Sequence, residues 1–177
     1  MSVVAPKLQL PIDPYDVNGY KFGQSIRSKV ILIARHLGDD ILANPGTEVR
    51  AIGDGTVVWS EMRVGSQQKK NWGGIVIIEH EHKTTGALFY SVYGHLDALA
   101  MKQGDAAHIG DLVGAVAKGS TPQNGYWELA HLHFGIYTGS WNNVVLPGWL
   151  RPFAGRTKLS WWQDPKPFVE EYAPKST

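Results

Sequence analysis

Cysteine is absent from the 177 residues of this chain. Disulfide staples and thiolate-held metals are thereby excluded, and any bound metal has to be carried by His, Asp or Glu. An excess of one charge is also missing, since 17 basic residues face 16 acidic ones for a formal net charge of +1. That balance lacks the basic footprint of a nucleic-acid binder and of a polybasic membrane anchor. No apolar run approaches the ~20 residues that span a bilayer. The opening Met1-Ser2-Val3-Val4-Ala5-Pro6-Lys7 has no basic start followed by an apolar core, so no signal peptide is visible. Long amphipathic helical patterns are absent too, and short helices are expected only near residues 98–102 or after Pro165.

Glycine and proline are plentiful instead, at 20 and 10 residues, and they punctuate short apolar segments in the manner of an all-β domain. The length suits one domain with its own core. Residues 1–29 read as a lead-in packed on that domain, 30–139 as its core, and 140–177 as a Trp/Pro-rich extension. Strands are expected at 48–51 and 56–62, either side of a Gly53-Asp54-Gly55 turn, and at 74–82, 87–96, 111–117 and 129–137. A hairpin loop is expected over 82–86. The extension carries Trp141, Trp149, Trp161 and Trp162, read as capping the core in preference to touching substrate, with Asp164-Pro165 turning into a last helical piece.

Three fragments carry possible chemistry. In the strand containing His131-Leu132-His133-Phe134, residues two apart share a face, so the two imidazoles project together while Leu132 and Phe134 pack behind them. In His36-Leu37-Gly38-Asp39-Asp40, an imidazole and a carboxylate can reach one ion, and Gly38 argues for extended or turning chain. Imidazole with carboxylate suits zinc better than calcium. Tyr93-Gly94-His95-Leu96 ends an apolar strand on a histidine. Each fragment alone is better read as structural. Together they supply His36, Asp40 and one of the histidine pair as three zinc ligands with an open position, leaving the other histidine and His95 for proton transfer. No H-E-x-x-H pattern is present, so the helix-borne metalloprotease design is excluded. His80 and His82, near the hairpin turn, and His108, in a polar loop, read as structural or surface residues. A biotinyl- or lipoyl-carrier hairpin is discarded, because the Gly53-Asp54-Gly55 turn has no lysine to modify.

The order of these pieces resembles the lysostaphin-type, or LytM-domain, zinc endopeptidases. That family's pattern runs H-x-G-x-D, then G-T-x-V-x-A-x-x-x-G-x-V, then Y-x-H-L, then H-L-H-F. Here it corresponds to His36-Leu37-Gly38-Asp39-Asp40, Gly46-Thr47-Glu48-Val49-Arg50-Ala51 with Gly55-Thr56-Val57, Tyr93-Gly94-His95-Leu96, and His131-Leu132-His133-Phe134, across roughly residues 30–138. The resemblance implies an all-β, two-layer antiparallel sheet of the duplicated-hybrid-motif type, with short helical pieces and an irregular C-terminal tail. It implies a Zn2+ ion held by His36, Asp40 and His133, with His95 and His131 as assisting histidines.

The activity implied is hydrolysis of peptide bonds in peptidoglycan cross-links or stem peptides by a zinc-activated water. The alternative is a LytM-type binding or regulatory module without catalysis. The expected setting is the cell envelope, periplasmic or extracellular, although the missing signal peptide leaves a cytoplasmic or processed form open; the chain is read as a monomer. Two features depart from the family. Asp39 stands where the family has an apolar residue, and spacing favours Asp40 as the ligand with Asp39 pointing away. The polar stretch 62–72, with 118–128, is expected to edge a groove, and Tyr126 and Trp127 read equally well as groove lining or as packing.

Overall fold

The structure is a computed structural model. It describes residues 2–27, 33–152 and 157–172; the expected boundary at 29/30 lies outside them. The strands are β1 (Val4–Ala5), β2 (Ser25–Arg27), β3 (Ile33–His36), β4 (Asp39–Leu42), β5 (Glu48–Arg50), β6 (Gly55–Arg63) and β7 (Gly73–His82). They continue with β8 (Leu88–Asp97), β9 (Ala106–Ala107), β10 (Leu112–Val116), β11 (His131–Tyr137), β12 (Trp149–Leu150) and β13 (Trp162–Gln163), before one helix, α1 (Pro165–Tyr172).

A strand that is apolar at every position has to be covered on both faces. The run Ile75-Val76-Ile77-Ile78 in β7 meets that demand. Val76 and Ile78 enter one hydrophobic cluster with Tyr93, Leu132 and Phe134. Ile75 and Ile77 enter a second with Leu37, Val92 and Tyr137. The main sheet follows the order β13-β11-β8-β7-β6-β9, with β4 joined to β11, β10 joined to β8 and β5, and β1 parallel to β7. A three-stranded sheet, β12-β3-β2, stands beside it. This is the all-β, antiparallel class expected from the sequence.

Strands arise at all six segments expected, but the two around Gly53-Asp54-Gly55 do not pair with each other. β5 pairs with β10, whereas β6 pairs with β7 and β9. The Asp54 carbonyl accepts from His80 at 2.8 Å and its carboxylate accepts from the Ile109 amide at 2.8 Å. Those bonds fix the segment as a crossing between regions of the sheet. The 82–86 loop does close a hairpin, between β7 and β8.

The helix considered at 98–102 does not form: Ala98 is left-handed at φ 50°, and the Ala100 amide donates to the Val113 carbonyl of β10. The helix after Asp164 does form, burying Pro165, Val169 and Tyr172 at i, i+4 and i+7. Among the described residues no helix is long and apolar enough to cross a membrane.

Candidate metal centre

β11 runs between β4 and β8, and its alternation sorts its side chains. Leu132, Phe134 and Ile136 enter the first core cluster, so His131 and His133 face the other way. In the ladder His133 lies opposite Asp40 of β4 and opposite Gly94 of β8. His36 arrives from the end of β3 across Gly38. A Cβ at Gly38 would collide with the Phe134 carbonyl and the His133 ring, so glycine permits this close approach.

Nδ1 of His133 lies 3.0 Å from Oδ1 of Asp40, and Nε2 of His36 lies 3.3 Å from the same oxygen. One ligand atom from each of His36, Asp40 and His133 falls within 4.8 Å of the others, and all three residues are buried. Both ring nitrogens of His36 and Nε2 of His133 have no hydrogen-bond partner among the described residues. An unsatisfied buried polar group costs about 1–3 kcal/mol, so the orphaned Nε2 of His36, meeting His133 Nδ1 at the Asp40 carboxylate, fits a divalent ion. Two imidazoles and a carboxylate are a zinc donor set.

The electrostatics keep these lone pairs available. Burial pushes the His133 imidazole down to about 4, against the opposing hydrogen bond to Asp40, so the ring is neutral at neutral pH. Burial alone would raise the Asp40 carboxyl, but the hydrogen bond from His133 and the neighbouring His36 imidazole outweigh it and hold the group well below the usual carboxylate range. Neutral imidazole and ionised carboxylate are the forms that bind metal.

His95 and His131 stand beside this trio with ring centroids 4.5 Å apart. Strict alternation would send His95 into the core with Tyr93. Instead, Ile75 pairs with Gly94 and Gly74 with Leu96, leaving His95 as the extra residue of a β-bulge. Its backbone is left-handed at φ 64°, a costly conformation for a residue with a Cβ. The bulge lets Tyr93 and Leu96 both enter the first core cluster while the His95 ring turns to the metal side. Nδ1 of His95 lies 3.0 Å from the Asn124 carbonyl and Nδ1 of His131 lies 2.8 Å from the Leu129 carbonyl. A carbonyl only accepts, so each Nδ1 carries the proton and each Nε2 offers its lone pair when the ring is neutral. Burial, with His131 adding to it, lowers the His95 imidazole well below its ordinary range.

The remaining candidates are apart from this cluster. The carboxylate of Asp39 accepts from the Tyr15 hydroxyl at 2.8 Å and from the Phe22 amide at 3.0 Å, pinning the lead-in to β4. It therefore points away from Asp40, as spacing suggested. Burial and the Asp39 carboxylate drive the Tyr15 phenol far above its ordinary range, so it remains a donor. His80 is fully buried, between Asp54 and Ser91. His82 packs on Tyr172, and exposed His108 lies 3.4 Å from Asp111.

Several site residues carry no motif and were missed by sequence reasoning. Trp72 packs 4.9 Å from the His133 ring and fills the space that Gly94 leaves above β8. Trp149 lies 4.4 Å from the His36 ring, held there because β12 pairs with β3. Tyr20, 5.3 Å from Trp149, closes the same corner. Thus Trp149 joins the site, whereas Trp141, Trp161 and Trp162 pack on the second core cluster. The 62–72 and 118–128 loops do edge the site. They are fastened to each other by Asn71 N to Gly125 O at 3.1 Å and by Trp127 Nε1 to Asn71 O at 3.0 Å. The one sequence sign was Gly73 and Gly125, both at positive φ, where a Cβ would strike the facing loop's backbone.

The antiparallel β-domain brings His36, Asp40 and His133 within reach of one another, with two further imidazoles alongside, as a candidate metal centre. The chain belongs to Peptidase family M23, whose pattern matches residues 34–145. It is 30% identical over 168 residues to the glycyl-glycine endopeptidase ALE-1 of Staphylococcus capitis, covering 91% of this chain and 37% of that protein. It is 30% identical over 159 residues to lysostaphin of Staphylococcus simulans, covering 87% of this chain and 26% of that protein. The chain thus spans well under half the length of these relatives. The catalytic domain of lysostaphin superposes with a TM-score of 0.55 at 26% identity, covering 86% of this chain and 90% of that one. LytU shares the fold, with a TM-score of 0.59 at 23% identity over 86% of this chain and 83% of that one.

Proposed function

We propose that the protein is a zinc-dependent endopeptidase acting on peptide bonds in peptidoglycan cross-links or stem peptides, and so working in the cell envelope. His36, Asp40 and His133 are the metal ligands in this reading, and His95 and His131 handle protons. The observation that carries it is the convergence of three buried donor atoms within 4.8 Å, with orphaned histidine nitrogens, beside a second imidazole pair. Membership of a peptidase family supports the reaction class. The presence of all five side chains at one place favours an enzyme over a binding module.

When bound, the metal supplies Lewis acidity toward the peptide carbonyl and a water of lowered pKa. The chain's own residues supply the proton traffic. The Asn124 and Leu129 carbonyls fix the two rings with Nδ1 protonated. Each Nε2 then accepts a proton from the attacking water or, once protonated, donates to a developing oxyanion or to the leaving amine. Because His95 is held neutral by burial, its lone pair is available at neutral pH. Trp72 and Trp127, 5.6 and 5.8 Å from the His95 ring, limit the water around it.

Purified peptidoglycan incubated with zinc-loaded protein should gain free amino groups, located by mass analysis of the products. A chelator should stop the release and added zinc should restore it. Cross-links and stem peptides that all stay intact would overturn the proposal.

A further inference from the structure

The two recesses flanking the metal centre differ in charge. One, bounded by Asp40, His131 and Tyr20, also receives Glu128 and shares Lys70 with the other, so Arg151 is the cation that sets the two apart. The other is a cavity of about 270 Å³ against His95 and His133, with Trp72 and Trp149 as apolar walls. No carboxylate lines this second recess among the described residues, but Arg151 and Lys70 do. Neither cation has an ion-pair partner among the described residues. Lys70 is steadied over the Trp127 ring at 4.7 Å. Thr157, 8% exposed, also lines the recess; its Oγ1 accepts from Trp162 Nε1 at 2.8 Å, which leaves its own hydroxyl proton to donate.

From this charge asymmetry we infer that the recess beside His95 and His133 selects substrates bearing a free carboxylate next to the scissile peptide bond, received by Arg151, Lys70 and Thr157. The inference rests on the endopeptidase reading for its link to hydrolysis, but not for the binding itself. A guanidinium binds a carboxylate through two parallel N–H donors, with more geometric selectivity than an ammonium. Both cations are solvent-exposed, so the tryptophan walls shape the recess but do not shield the contact from water. Trp149, Arg151 and Thr157 all lie beyond residue 145, where the family pattern ends. One wall of this recess is therefore supplied by the chain's own C-terminal segment, pinned by the β12–β3 pairing. The volume suits a short stretch of peptide.

Binding and turnover test this separately. N-acetyl-triglycine and its C-terminal amide are titrated against the zinc-loaded chain, followed by tryptophan fluorescence. The acid should bind about tenfold more tightly than the amide, the size of one charge-assisted hydrogen bond. Arg151→Gln should bring that ratio close to one, and Arg151→Lys should retain part of it. A carboxylate held by the metal alone would keep its advantage in Arg151→Gln, and that result overturns the inference, as does equal binding of acid and amide by the wild type. For turnover, one peptidoglycan preparation is split, and half has its carboxylates converted to amides with carbodiimide and ammonia. The untreated half should be cut faster, with a smaller ratio in Arg151→Gln. If neither half is cut but the binding difference holds, the endopeptidase reading falls and carboxylate recognition stands.

Discussion

His80 and the candidate ligand His36 are equally buried, yet their surroundings are opposite. His80 donates Nδ1–H to the Asp54 carbonyl and accepts at Nε2 from the Ser91 hydroxyl, both at 2.8 Å, with Phe89 stacked at 4.9 Å. Both nitrogens are used by the protein itself. His36 is as deeply enclosed, and neither of its ring nitrogens has a partner. Burial therefore does not set the proposed ligand His36 apart from His80. Satisfaction does, because a fold that leaves a buried polar atom unpaired carries a cost that a ligand has to offset.

Exchanging each side for alanine should break the comparison most visibly. His36→Ala or Asp40→Ala should lose both bound zinc, read by elemental analysis, and all peptidoglycan hydrolysis. His80→Ala should keep its zinc and lose only stability. Zinc retained by both ligand variants would dissolve the contrast.

Next in size is the proton pair. His95→Ala and His131→Ala should each lower kcat by about 10²–10⁴-fold, the usual range for acid–base groups, with zinc content unchanged. Loss of zinc in either variant would move that residue from proton handling to metal binding.

The third effect is on stability against pH. Burial depresses His80 to about 4, against the ordinary 6.5. The unfolded chain therefore takes up a proton first as pH falls. The stability tied to a neutral His80 is complete above 6.5 and is lost between 6.5 and about 4, amounting to about 3 kcal/mol. In urea unfolding, the advantage of wild type over His80→Gln should shrink by up to that amount between pH 7 and pH 4.5. A gap independent of pH would contradict the assignment.

Smallest is the adjacent carboxylate. Asp39→Ala unpairs the Tyr15 hydroxyl and the Phe22 amide, for a loss of about 1–3 kcal/mol. Zinc should remain bound, which separates Asp39 from Asp40 by experiment.

Much of the scaffold was legible because strands follow a period of two. The alternation in His131-Leu132-His133-Phe134 already divided imidazoles from core residues, and β11 has that division. Gly38 between His36 and Asp40 already spoke for a turn. The lead-in and the C-terminal segment were not legible in this way. Their places are set by pairings and hydrogen bonds with residues distant in sequence, such as β12 with β3, Leu37 N to Gly148 O at 3.0 Å and Asp40 N to Tyr20 O at 2.7 Å. Trp149 gave no periodic sign that it would meet His36.

The sequence by itself determined the donor types, since a chain without cysteine can offer a metal only imidazole and carboxylate. It also determined the strand segments that carry them and which face of β11 holds them. Tertiary structure decided that β4 would pair with β11 so that Asp40 meets His133. It also decided that His95 would join them at all. Tyr93 and Leu96 are an odd number of residues apart, so one side of the sheet can bury both only if the strand gains an extra residue between them. The bulge at His95 is that residue, and it turns the ring out of the core toward the metal centre.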